Sequence, residues 1–315
     1  MKSIILSKNS IDELDSLPRS WVFYTLKSET EFLYASVSTH LGARIKNFWH
    51  KSEDDSVVAE LMAEAKYLVY HTMPDSMSAL IMLKSFLFEE HPSFQQRLQT
   101  WSEYVYLALD SHRFPFISIQ QHTNDEWLYL GPFRSRFFLI DLIDSLSRIV
   151  KLPYCETGSY PCDKFDRGIC RGWCLALAPA KETETEHGLD KLDILIKETF
   201  LHPNNGILEM VQKERDRYFD DLEFAKADLL DDEINLLAKY RDWLNFLYVT
   251  KDLNFENSQV TIREGQLARA ELNGKTYSFP IDSTIYKENE KLALPLTRLD
   301  EAKIIYDYIK ELSNA

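Results

Sequence analysis

The chain has 315 residues, of which 45% are hydrophobic and 13% aromatic, and a formal net charge of −14 at pH 7. Such length and apolar content exclude a disordered or fibrous chain and allow two or three domains. The acidity argues against a general polyanion binder, which carries a basic stripe. Near the start, the apolar run Ile4-Ile5-Leu6 is too short for a secretory leader or a membrane span. A cytoplasmic protein without membrane contact is expected. Residues 21–26 (WVFYTL) and 31–35 (EFLYA) are aromatic and β-branched runs around a polar turn, which predicts a β-hairpin. Leu41, Ile45 and Phe48 recur at helical spacing and place Arg44 on a short helix, and 56–65 continues helical. YLVYHT (67–72) reads as a strand, and an apolar helix opens at a polar cap, Asp75 or Ser76, and runs toward Pro92.

From residue 101 the pattern changes to short strands, YVYLAL, FPFISI and EWLYL, followed by LGPF and an amphipathic helix ending near Val150. Residues 155–174 are rich in Gly, Pro and Asp and predict little regular structure. Residues 176–188 read as a polar crossover, and 189–245 as helical, with Leu222, Phe224, Ala225, Leu229 and Ile234 as packing positions. The remainder turns to strands (QVTIREG, QLARAEL, KTYSFPI, TIYK) and ends in the helix LDEAKIIYDYIKEL. The expected fold class is mixed α+β in four parts. These are a small α/β domain (1–98), a strand-rich domain with the cysteines (99–180), a helical region (181–247) and a small α+β domain (248–315). No Walker loop, dinucleotide fingerprint or HExxH motif is present.

All four cysteines fall within twenty residues: Cys155, Cys162, Cys170 and Cys174, spaced C-x6-C-x7-C-x3-C. Four thiolates so placed can close around one tetrahedral metal or one iron–sulfur cluster. Without a bound centre such a segment has little core of its own, so its folding is expected to depend on the metal. Between Gly131 and Cys174 seven basic residues face five acids, among them Arg134, Arg136, Arg167 and Arg171, so a phosphate contact is expected there if anywhere.

These pieces, in this order, resemble the N-terminal half of the excinuclease subunit UvrC and its relative Cho. Leu17-Pro18 stands at the family's LPGVY opening, Leu33-Tyr34-Ala35-Ser36 at its LYVG, and Leu41 to Phe48 at its arginine-bearing helix. His91-Pro92-Ser93-Phe94 resembles KPRYN, Leu130-Gly131-Pro132-Phe133 resembles FGPY, and the cysteines resemble RTC followed by CLQYQIGRCSAPC. Leu222 to Ala227 looks like the LEFEKAA of the UVR helix pair. The resemblance implies a GIY-YIG nuclease domain, a four-cysteine segment holding a [4Fe–4S] cluster, with structural zinc as the alternative, and a UVR-like hairpin. That hairpin docks with the damage-recognition subunit UvrB in the family. Here Leu222, Phe224 and Asp231 are the expected contacts with a UvrB-like or other repair protein, and Asp231 reverses the usual arginine.

The family's nuclease chemistry needs a divalent cation on a glutamate, a tyrosine hydroxyl and an arginine. The resemblance places Phe23 at the first tyrosine and Leu83 at the metal-binding glutamate, while Tyr34 and Arg44 remain. Leucine offers no oxygen to Mg²⁺ or Mn²⁺. Two nearby substitutes exist, Tyr24 beside Phe23 and Glu89 or Glu90 beyond Leu83. The resulting expectation is a degenerate, non-cleaving domain in a UvrC-like protein of DNA repair or DNA metabolism. It would contact double-stranded or damaged DNA weakly, through Arg44, Arg134, Arg136, Arg167 and Arg171. An active Cho-like endonuclease and a protein-interaction factor without nucleic-acid binding are the alternatives.

Overall fold

The computed structural model describes residues 2–6, 14–98, 103–124, 127–153, 155, 162–174, 182–202, 206–282 and 292–314. It is a mixed α and β protein that divides into two compact units. The first comprises residues 1–102, 252–283 and 300–315, and the second 103–251 and 284–299. Among the described residues no helix is long and apolar enough to cross a membrane.

The first unit opens with β1 (Lys2–Ile5), β2 (Val22–Lys27) and β3 (Phe32–Ser38), then helices α1 (Leu41–Lys51) and α2 (Ser56–Glu64), β4 (Tyr67–Thr72) and α3 (Ser76–Glu89). The strands form one antiparallel sheet in the order β1-β4-β2-β3. Ile4-Ile5, in the sequence only a short apolar run, becomes an edge strand on β4. Asp55 caps α2, accepting from Val57 N at 2.9 Å, and Asp75 caps α3, accepting from Ser78 N at 2.7 Å. Leu41, Ile45 and Phe48 turn inward from α1 as their spacing predicts, against Val22, Tyr24, Leu26 and Leu61. Gly42 is required where it stands: a Cβ there would lie 2.0 Å from the Leu14 carbonyl oxygen.

The C-terminal segment adds β8 (Phe255–Glu256), β9 (Val260–Arg263), β10 (Gln266–Leu272) and β11 (Lys275–Ser278), an antiparallel sheet in the order β11-β10-β9-β8. The expected TIYK strand lies outside the described residues. Helix α3 is apolar around most of its circumference and belongs to two surroundings. It packs on β2 and β3, while its Met77, Leu80 and Ile81 share a core with Val260, Ile262, Leu267, Ala270, Phe279, Ile304 and Ile305. The last two come from the terminal helix Leu299–Asn314.

The second unit has β5 (Val105–Leu109), β6 (Ile117–Gln120) and β7 (Leu128–Phe133), joined by the two-residue β12 (Leu292–Ala293), which runs parallel to β7. Helix α4 (Arg136–Val150) follows, capped by Ser135, and a four-residue helix α5 (Asp163–Asp166) lies within the cysteine segment. Helix α6 (Glu182–Ile196) ends in a wider π turn through Leu201. Helices α7 (Ile207–Asp220) and α8 (Phe224–Lys251) form a hairpin whose turn places Leu222 at φ 61°. The terminal helix Leu299–Asn314 is α9. The packing positions expected at Leu222, Phe224, Ala225 and Leu229 are corrected: all four are exposed and Ile234 is half-buried, while Ala227, Leu230, Leu237, Tyr240 and Leu244 are buried. The buried stripe keeps a 3–4 residue period but is shifted in register from the residues chosen by the motif.

Candidate functional site

Strand pairing gathers a buried polar cluster, here termed the recess, in the first unit. Tyr24 lies opposite Ser36 and Leu26 opposite Tyr34, so alternation puts the Tyr24, Tyr34 and Ser36 side chains on one face. The Tyr24 and Tyr34 rings are tilted, with centroids 6.4 Å apart. Helix α1 brings Arg44 to the same face, its guanidinium 5.4 Å from the centre of the Phe48 ring, which meets Tyr34 edge-on at 5.7 Å. Burial disfavours the Arg44 charge, but the phenol oxygens of Tyr24 and Tyr34 favour it, and the net displacement of its pKa is upward. Tyr24 is wholly buried, and burial holds its phenol well above the ordinary range against the opposing pull of Arg44. It therefore stays protonated near neutrality, a donor and a poor base. The Tyr24 hydroxyl and the Arg44 Nε are both buried without a partner at ordinary hydrogen-bond geometry, although Arg44 and Ser36 stand near enough to Tyr24 to pull its phenol down against burial. A buried polar group left unpaired costs about 1–3 kcal/mol, so such atoms mark a place that a water or ligand completes.

Of the residues expected in a nuclease site, Tyr34 and Arg44 come together and Phe23 does not join them. Phe23 points to the other face of the sheet, where its ring packs 5.3 Å from Phe86 of α3. The tyrosine that meets Arg44 is Tyr24. The signal that finds it is strand parity with Tyr34 across the hairpin, which matching by residue type overlooks. Leu83 is half-buried on α3 and offers no oxygen. Glu89 is committed to an ion pair with Lys275. Asp300, which carried no signal in the sequence, lies in a crowded but solvent-open part of the same unit. Desolvation raises its carboxyl above the usual range, and Arg44 opposes the rise.

The four cysteines are neighbours. Burial pushes the Cys155 thiol up, Lys164 opposes this, and Cys170, Cys162 and Cys174 reinforce it through their own charge. Cys155, Cys170 and Cys174 line a cavity with Phe114, Phe116, Leu152 and Trp173. The backbone between them is tightly turned. Cys162 O accepts from Phe165 N at 3.0 Å, Lys164 O accepts from both Ile169 N and Cys170 N, and Gly168 and Gly172 take φ of 67° and 74°. Gly172 N donates to Cys170 Sγ at 3.2 Å. Among the described residues no group of three or more His, Cys, Asp or Glu is gathered closely enough to hold a metal ion. The thiols thus share one neighbourhood without forming a closed ligand set. The donor chemistry, four sulfurs beside an aromatic cavity, fits a thiophilic centre.

Arg134, Arg136, Arg167 and Arg171 are all exposed in the second unit. Arg167 pairs with Asp163 at 3.2 Å, a surface pair of little strength. Arg148 is taken up by Glu233 and Glu214. At the hairpin tip Leu222 is 72% exposed, and Phe224 meets Phe219 edge-on at 5.4 Å with both rings largely in solvent. Asp231 lies 3.6 Å from Arg215 on the facing helix, so its charge is partly answered within the hairpin.

No family model matches the chain. Its sequence is similar to the UvrABC system protein C of Fervidobacterium nodosum, 21% identical over 238 residues, covering 74% of this chain and 39% of that protein. The corresponding protein of Methanosphaera stadtmanae is 21% identical over 229 residues, covering 72% and 37%. That of Methanococcus maripaludis is 19% identical over 253 residues, covering 80% and 46%. The chain thus spans about two fifths of the length of the curated relatives it matches. Among solved structures, it is similar to the magnesium-bound GIY-YIG N-terminal endonuclease domain of UvrC from Thermotoga maritima. The identity is 14%, with 29% of this chain and 99% of that one covered and a TM-score of 0.26. The chain is UvrC-like in sequence over about three quarters of its length.

Proposed function

We propose that this UvrC-like protein acts in DNA repair or DNA metabolism by holding the phosphodiester backbone at the Tyr24–Tyr34–Arg44 recess without cutting it. The carrying observation is the pair of buried, unpartnered atoms there, the Tyr24 hydroxyl and the Arg44 Nε. A phosphate oxygen satisfies both, with the charge-assisted geometry that guanidinium favours. Hydrolysis lacks support from the same residues. Leu83 gives α3 no oxygen for a cation, and Tyr24 is held protonated by burial. Exposed Arg134, Arg136, Arg167 and Arg171 are proposed as further phosphate contacts, position-setting and without base preference.

The four cysteines are proposed to hold a [4Fe–4S] cluster, with zinc as the alternative; either would tie 155–174 into one folded loop. The exposed tip formed by Phe219, Leu222 and Phe224 favours an additional contact with a UvrB-like or other repair protein.

The test is duplex binding across a salt series together with a nicking assay in Mg²⁺ and Mn²⁺. Binding without nicking is expected, and Arg44→Ala should flatten the dependence of log affinity on log salt by about one phosphate contact. Lesion-dependent nicking by the parent protein, lost in Arg44→Ala, would replace this reading with that of an endonuclease. No binding at low salt would leave the protein-interaction reading. Iron and sulfide analysis after anaerobic purification separates cluster from zinc. Cys170→Ser and Cys174→Ser should each release the centre, and full retention by both would refute the assignment.

A further inference from the structure

A buried donor in the second unit has no acceptor. The indole Nε1 of Trp173 is shut off from solvent, and among the described residues nothing accepts its proton. Indole nitrogen is a donor only, so the deficit cannot be met by a change of role. Buried polar groups in folded proteins are nearly always paired, and an exception calls for a specific cause. Trp173 lines the cavity that Cys155, Cys170 and Cys174 also line, and the other walls are aromatic or aliphatic. On these walls the sulfurs are therefore the only side-chain acceptors. A thiol sulfur accepts weakly. A thiolate or a cluster sulfide carries charge and accepts better, and metal binding is what deprotonates cysteine. The unpaired N–H thus matches the loaded state of the loop rather than the thiol state.

The backbone fixes where the ring sits. Arg171 N donates to Lys151 O at 3.2 Å, which ties the loop to the end of α4. Gly172 follows with φ 74°, and its N–H donates to Cys170 Sγ at 3.2 Å. One sulfur thus already receives a backbone donor from the residue before Trp173. The family pattern CSAPC has proline at the position of Trp173 in Cys170-Arg171-Gly172-Trp173-Cys174, and proline has no side-chain donor. The indole N–H belongs to this chain and not to the pattern.

We propose that the Trp173 indole N–H donates a hydrogen bond to a sulfur of the centre held by the four cysteines, a thiolate or a cluster sulfide, and raises the reduction potential of a cluster bound there. The inference rests on the reading of Cys155, Cys162, Cys170 and Cys174 as ligands and adds a positioning residue to them. A hydrogen bond to sulfur offsets negative charge, which favours the reduced, more negative state. If Trp173 served only as packing, its loss would admit water, and solvent exposure favours the reduced state as well. The two roles therefore predict opposite signs when the donor is removed.

The experiment compares anaerobically purified full-length parent, Trp173→Phe and Trp173→Gln proteins, with thermal melts to confirm folding. Phenylalanine keeps a ring and drops the donor, while glutamine keeps an N–H and drops the ring. Dithionite titration followed in the visible reads the potential. In Trp173→Phe the reduced-to-oxidised ratio at a fixed potential should fall about tenfold, or ~59 mV for one electron, and Trp173→Gln should stay nearer the parent. An unchanged or raised potential in Trp173→Phe overturns the proposal. Ultraviolet resonance Raman reads the indole hydrogen bond with cluster or zinc alike, as the loaded minus chelator-stripped difference in the parent. That difference should show a stronger N–H bond on loading and should vanish in Trp173→Phe; its absence in the parent overturns the proposal, whether or not the variants fold. Metal and sulfide analysis keeps the two readings apart. A parent protein without iron or zinc, or a centre fully retained by both Cys170→Ser and Cys174→Ser, removes the ligand reading and the donor role together. Metal held by those cysteines beside an indifferent Trp173 removes the donor role alone.

Discussion

Replacing Tyr24 by Phe isolates the feature on which the recess rests. The ring is wholly buried and its packing against Tyr34 is kept, so the substitution removes one oxygen and nothing else. In the free protein that oxygen is buried with Arg44 and Ser36 nearby but neither at ordinary hydrogen-bond geometry. An unpaired hydroxyl costs about 1–3 kcal/mol, part of which the Arg44 charge returns by attraction for the phenol dipole. Tyr24→Phe is therefore expected to stabilise the free protein by about 1 kcal/mol. For a cooperative unit of about 150 residues that corresponds to a rise in Tm of roughly 2–4 °C. The same change should weaken duplex binding by about 1 kcal/mol, roughly fivefold, because the lost hydroxyl is a donor to phosphate. Calorimetric melts with and without a short duplex read both effects on one sample, and the two should have opposite signs. A fall in Tm of several degrees with unchanged binding would mean that the hydroxyl is a satisfied structural group, and the recess would lose its claim to a ligand.

Glu301→Ala strips Lys84 of its carboxylate and leaves Leu267 N–H without an acceptor in a largely buried position. A loss of about 3 kcal/mol is expected in urea unfolding, and a loss below about 1 kcal/mol would contradict the anchoring of α9 on α3. Leu222→Gly relieves a left-handed backbone at a residue that buries almost nothing. It should raise stability by about 0.5–1 kcal/mol while reducing capture of a repair-protein partner, and destabilisation would show that the hairpin tip is packed.

The first ninety residues were largely legible, because each element there is specified locally. Asp55 and Asp75 announce their helices, and Leu41, Ile45 and Phe48 announce a buried face. The clustering of the cysteines was equally legible from spacing. What escaped was set by pairing at a distance. Tyr24 stood only as a substitute for Phe23, and which of the two faces Arg44 depends on hairpin register and not on either residue's character. The two-residue strand Leu292–Ala293 is too short for alternation to appear at all.

Helix α3 is finished only by residues made much later. Its Met77, Leu80 and Ile81 face a core completed by Leu267, Phe279, Ile304 and Ile305. During synthesis the first sheet can therefore form while one flank of its principal helix stays bare. At ~5–20 residues per second that interval lasts roughly 10–45 s, from the emergence of α3 to that of the terminal helix. Throughout it the nascent chain displays an apolar stripe of the kind that chaperones bind and that neighbouring polysomal chains can share. How quickly the terminal helix follows α3 from the ribosome then sets how long that stripe stays uncovered.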